Sequence, residues 1–134
     1  MKLKELAADH VSFTLSRHEL GAMGNALNEV CNGLYVTDFE SKMRGKPEEV
    51  EQILDEIIPV YRKMKQSRSP RVVVRFSSRE LRSIIGALKT VCREIDEIEF
   101  ATRMGAELSE VNQILDQLIP IYRRMKQHQH EVAD

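Results

Sequence analysis

An α+β fold, mostly α, is what this chain predicts: two tandem β-α-α repeats related by a pseudo-two-fold axis, with two short strands pairing antiparallel and four main helices. Three observations carry that reading. The chain repeats itself at an offset of 61 residues: positions 11–66 lie on 72–127 without a gap, with about 23 identities in 56 pairs, and QILDEIIPVYRKMKQ falls on QILDQLIPIYRRMKQ. Each copy opens on apolar residues at a spacing of two and continues at the helical spacing of three and four. The composition, 42% hydrophobic and 31% charged over 134 residues, suits one packed domain. That domain is expected to span 1–134, with repeat one at 11–66, repeat two at 72–127, a polar linker at 67–71 and a flexible tail at 128–134. Residues 1–10 read as a fraying helical arm.

The elements follow in order. Val11, Phe13 and Leu15 alternate with Ser12 and Thr14, and Val72, Val74 and Phe76 with Val73 and Arg75, which is the pattern of a half-buried strand. Two such strands alone are marginal in water, so helices must cover their apolar face. Ser16/Glu19 and Ser77/Glu80 have the S-x-x-E spacing of a capping box, which starts a helix by satisfying two orphan N–H groups. The stripe Leu20, Met23, Leu27, Val30, Cys31, Leu34 and its counterpart Leu81, Ile84, Ile85, Leu88, Val91, Cys92, Ile95 define the first helix of each copy. A short helical turn carrying Phe39/Met43 and Phe100/Met104 is expected next. A long helix then starts near Pro47 and near Leu108. Acidic residues at its start and Arg62, Lys63, Arg123 and Arg124 toward its end complement the helix dipole. Pro59 and Pro120 each remove one helical hydrogen bond and predict a kink or a restart. Asn32-Gly33 reads as a helix stop.

Charge and motifs exclude more than they assign. The net charge is −1, so no global attraction to nucleic acid or anionic lipid is encoded. No apolar run reaches membrane-spanning length. The opening MKLKELAADHVSF lacks the apolar core of a secretory leader, so a cytoplasmic protein is expected. Cys31 and Cys92 share one slot in the two copies and read as free, core-facing thiols. The histidines His10, His18, His128 and His130 lack zinc-ligand spacing. Neither a nucleophile elbow, a zinc-protease motif nor a phosphate loop is present. No enzyme activity, cofactor or metal is expected. Asp55 and Asp116 recur at one position and read as structural.

A scaffold must be repeated, but a site need not be, so the differences between copies point to function. Copy one carries Asn25, Asn28, Glu29, Asn32 and Gly33 where copy two has Gly86, Lys89, Thr90, Arg93 and Glu94. Asparagine is a poor helix former and a good hydrogen-bonding residue. Copy two alone carries Ala101-Thr102-Arg103-Met104-Gly105. Candidate partner-binding residues are therefore Asn25, Asn28, Glu29, Asn32 and Arg103, with the basic helix ends Arg62, Lys63, Arg123 and Arg124 meeting an acidic partner. A small protein acting by protein–protein contact, adaptor-like or immunity-protein-like, is the function this predicts, as a monomer or homodimer. The alternative is a nucleic-acid-associated regulator using the helix-turn-helix-like spacing of Ala101, Gly105 and Val111 in segment 100–115. Its would-be recognition helix, LSEVNQILDQL, carries Glu110 and Asp116 and no basic residue, so nucleic acid is not the expected partner.

Leu27–Gly33, LNEVCNG, and Glu99–Gly105, EFATRMG, resemble two signatures of a group of small uncharacterised bacterial proteins built from a single such unit. Here the signatures are split, one to each copy. The resemblance implies a bacterial source and a tandem duplication of that domain, and carries over no catalytic residue.

Overall fold

The computed structural model describes residues 1–133. The fold is α+β, with one three-stranded antiparallel sheet and six α-helices. In chain order the elements are β1 (Lys2–Leu6), β2 (His10–Ser16), α1 (Arg17–Asn28) continued by a π-helical turn (Glu29–Gly33), α2 (Phe39–Met43), α3 (Pro47–Ser67), β3 (Arg71–Ser77), α4 (Ser78–Glu94), α5 (Glu97–Met104) and α6 (Leu108–Ala133). The strand order is β1-β2-β3.

The two expected strands do pair antiparallel: Val11 faces Phe76, Phe13 faces Val74 and Leu15 faces Val72. Their inward side chains meet the helices, and the Phe13 and Phe76 rings lie 6.4 Å apart. Val11, Phe13 and Leu15 are fully buried, whereas Val72 and Val74 on β3 are only half-buried.

The N-terminal ten residues correct the sequence reading. They form β1 and the turn into β2, not a helical arm. KLKEL is made of good helix formers with Leu3 and Leu6 at helical spacing, but pairing with the open edge of β2 overrides that local preference. Leu3 pairs with Phe13 and Leu6 with Val11, with a bulge between Leu3 and Glu5. Met1, Leu3 and Leu6 pack on the core, and the Met1 ammonium meets Glu19 Oε2 at 2.8 Å. The expected tail is also regular, since α6 runs on to Ala133; Asp134 lies outside the described residues. The 67–71 linker shrinks, because Ser67 closes α3 and Arg71 opens β3. A left-handed Arg68 makes that turn.

Both capping boxes form. Ser16 and Ser77 Oγ accept from the Glu19 and Glu80 N–H groups at 3.0 Å, and each glutamate accepts from its serine N–H at 2.8 Å. Pro59 and Pro120 sit within unbroken helices, so neither restarts its helix. Asp55 and Asp116 are exposed. Both thiols are free.

The helices interlock in a way periodicity does not show. α1 packs on α3, α4 on α6, and α1 on α4. The short helices cross over: α2 docks on α4, and α5 docks on α1. Gly86 in α4 permits the first crossing, because a Cβ there would stand 2.5 Å from the Lys42 carbonyl oxygen. Ser83 Oγ fastens it by donating to the Met43 carbonyl at 2.9 Å.

Candidate functional site

The unmatched residues of the two copies meet each other. Asn25 on α1 donates through Nδ2 to the Met104 carbonyl at 2.8 Å. That carbonyl ends α5, whose C-terminus is closed by Gly105 in the left-handed region at φ 65°. Next to it, the Arg103 guanidinium pairs with Glu29 in the π-helical turn and, more loosely at 3.5 Å, with Glu99. Glu29 is 13% exposed. Gly33 leaves room for the Glu29 carboxylate, which a Cβ there would strike. The Glu29 hydrogen bond and charge raise the Arg103 pKa. Asn25, Glu29 and Arg103 thus form a seam holding α5 on α1. Each has a partner within the molecule, while Asn25 remains exposed and Glu29 and Arg103 are half-buried.

Position 25 and position 86 make different contacts at the two crossings. At Gly86 the α2 backbone comes close to α4, whereas at position 25 the Asn25 amide reaches the α5 backbone. Asn28 and Asn32 stay exposed and bond to one another at 3.0 Å, one turn apart.

Arg62, Arg123 and Lys63 line three separate grooves. Asn25, Asn28, Tyr61 and Arg62 line one of about 350 Å³ between α1 and α3. Positions 61 residues on line another of about 300 Å³ between α4 and α6, which adds Lys42, Arg44, Arg82 and Lys89 to Arg123. The Arg82 Nε there is buried and has no partner among the described residues, while Lys42 is tied to Glu94 at 3.2 Å. Arg124 is exposed on α6.

Lys63 lies on the largest groove, about 530 Å³, between α3 and the free edge of β3. Ile57, Val60 and Met64 form one wall, and Val72, Val74 and Phe76 the other. Arg71 and Lys63 stand at the end where β3 begins; Glu80 and Glu56 stand at the end where it stops. Hydrogen bonding to Glu80 pushes the Glu56 carboxyl upward, as two neighbouring carboxylates require. The sequence marks neither this groove nor its open edge, because both depend on which strand lies outermost.

The 100–115 segment does place α5, a left-handed Gly105 and α6 in succession. The first turn of α6 is acidic there, and its Glu110 bonds His18 at 2.6 Å. The Glu107 backbone N–H and then His18 hold Glu110 below the usual carboxylate range.

Among the described residues there is no group of His, Cys, Asp and Glu able to hold a metal, and no helix is long and apolar enough to cross a membrane. Burial pushes the Cys31 thiol up to about 11, with Glu51 and Asp55 adding to it, and burial raises Cys92 as well. Comparison with protein-family models, with curated proteins and with solved structures finds no match.

Proposed function

We propose that this chain is a non-enzymatic binding protein that acts by contact with another protein, and that the contact is made at the free edge of β3 and the groove beside it. One observation carries the reading. β3 is seven residues long and outermost in the sheet, yet a groove with apolar walls runs along its unpaired side. A free edge presents a row of unpaired N–H and C=O groups, which proteins cover or blunt unless the edge is used.

The same reading takes the chain as a tandem duplication of a small bacterial domain, arranged about a pseudo-two-fold axis. Support comes from the strand register. Phe13 faces Val74, and these two residues occupy the same place in the 61-residue alignment. An antiparallel pair whose central partners are equivalent has a local two-fold axis at that point. The crossed docking of α2 on α4 and α5 on α1 has the same symmetry. A cytoplasmic setting belongs to the reading.

Photo-cross-linking tests it. A photoreactive side chain at Val60, on the groove wall, is expected to join the full chain to one polypeptide in stoichiometric yield from a bacterial lysate. The same group at Ile98, which is 91% exposed and does not line the groove, is expected not to. Salt-sensitive retention of nucleic acid with no protein adduct from any surface would replace this reading with the regulator that uses residues 100–115.

A further inference from the structure

We propose that the groove between β3 and α3 accepts an extended segment of another polypeptide as a fourth strand, antiparallel to β3, with a cationic group toward its N-terminal end and a carboxylate toward its C-terminal end. The inference rests on the protein-contact reading and on the pseudo-dyad, and it adds the mode of binding and the chemistry of the partner.

The precedent is inside the molecule. β1 already occupies the corresponding slot on the far side of the sheet, along the outer edge of β2. A two-fold axis at the Phe13/Val74 pair carries β2 onto β3, α6 onto α3, and β1 onto the groove. The lining agrees residue by residue. Ile57, Val60 and Met64 of the groove correspond to Leu118, Ile121 and Met125, all of which belong to or pack on the core. Val11 and Phe13 are fully buried, while their counterparts Val72 and Val74 stay half-open to solvent. The vacant slot accounts for that difference.

The way β1 lies sets the direction. Lys2 pairs with Thr14 and Leu6 with Val11, so the start of β1 sits at the end of β2. The added strand therefore begins near Ser77 and ends near Arg71. Apolar side chains corresponding to Leu3 and Leu6 fall opposite Val74 and Val72. Exposed edge groups supply backbone hydrogen bonds, and alternate apolar side chains supply register.

Charge fixes the ends. In the filled slot, Glu19 Oε1 serves its capping box and Oε2 takes the Met1 ammonium at 2.8 Å. Glu80 serves the same box at the groove. Beside it stands Glu56, where the filled slot has Gln117. The groove thus holds two carboxylates where its counterpart has one, and a positive group is the complement. At the other end Lys63 and Arg71 call for a carboxylate, and Arg75 on the outer face of β3 favours acidic residues between the apolar ones. A second copy pairing through its own β3 would set this arginine-rich strand against itself, which disfavours that occupant.

The test is selection of N-terminally displayed random heptapeptides on the full chain, followed by amide exchange of the complex. Selected peptides are expected to carry apolar residues at alternating positions and an acidic residue toward the C-terminal end. They are expected to slow exchange of amides within Arg71–Ser77. Acetylating the peptide amine, or the exposed substitution Glu56→Lys, is expected to weaken binding roughly tenfold. Val60→Arg is expected to block binding while the circular dichroism of the free chain stays that of the parent; Val73→Arg, on the exposed face of β3, is expected to bind like the parent. Peptides that bind without protecting β3 overturn strand addition and leave protein contact standing. So does the absence of any selected peptide while Val60 still cross-links to a protein. A dimer in sedimentation with β3 amides protected assigns the groove to a second copy and also overturns the proposal.

Discussion

Replacing Gly86 by alanine tests the crossed packing of the helices most directly. On an isolated helix this change stabilises, by about 1 kcal/mol, because alanine loses less backbone freedom than glycine. Here the new Cβ would lie 2.5 Å from the Lys42 carbonyl oxygen and 3.2 Å from the Met43 Cα. Both are backbone atoms, so no side-chain rotation relieves the clash. α2 must retreat from α4 by about 0.5 Å to reach even the 3.0 Å floor for such contacts. Overpacking of this kind costs about 1–3 kcal/mol. The retreat also strains the bond from Ser83 Oγ to the Met43 carbonyl, and a buried polar group left unpaired costs about 1–3 kcal/mol. Against the gain in propensity, the net expectation for Gly86→Ala is a loss of about 2 kcal/mol, or roughly 6–10 °C in Tm for a domain of this size. Gly24→Ala is the internal control. Its Cβ would make an ordinary 3.4 Å contact with Ile57 Cγ2, so it should stabilise by about 0.5–1 kcal/mol. Urea unfolding of both variants beside the parent measures the two signs. Gly86→Ala stabilising as much as Gly24→Ala would refute the close backbone crossing.

Three further outcomes are expected. Asn25→Ala should lower stability by about 1 kcal/mol through the lost bond to Met104, and should speed amide exchange in Glu97–Met104 before the rest of the chain; unchanged exchange there would mean that the seam does not hold α5. Cys31, with its thiol pushed up to about 11, should react with an aromatic disulfide at pH 8 roughly a hundredfold more slowly than an ordinary cysteine and react promptly only in denaturant, so fast labelling of the native chain would contradict the raised pKa of this half-buried thiol. The β1–β2 hairpin should be pH-sensitive, because the two ring nitrogens of His10 face Glu5 at 2.5 Å and Asp9 at 2.8 Å, and only the imidazolium can donate to both. The Glu5 bond, then Asp9, raise His10 above 6.5, so its stabilisation is full below that value and is lost as pH climbs through the raised one; Asp9 is lowered from 3.8, chiefly by His10, so its share is lost on acidification. Protection of the β1 amides should therefore peak between those limits, and His10→Gln should abolish the alkaline decline; a decline that persists in the variant would remove His10 from the account.

The elements that could be read from the chain are those whose signals are local. Ser16 and Glu19 announce a helix start because the capping box closes within four residues, and the identical box at Ser77 and Glu80 repeats the announcement. Val11, Phe13, Leu15 and Val72, Val74, Phe76 give the strands their inward faces, since alternation follows from the pleat alone. The candidate site was less legible. Asn25, Glu29 and Arg103 stood out as unmatched residues, but the sequence does not say that they touch: the Asn25–Met104 and Glu29–Arg103 contacts join positions 79 and 74 residues apart.

By itself, then, the sequence determined the helix starts, the phase of two strands and the stripes that form the core, because each depends on neighbours a few residues away. Tertiary structure alone decided that residues 2–6 become a strand, that each short helix crosses to the other half, and that β3 is left at the edge with a groove beside it. KLKEL locally favours a helix, so the unpaired edge of β2 and the apolar surface beneath it override its local preference. No strand among the described residues pairs with the outer edge of β3, because the order β1-β2-β3 leaves it last.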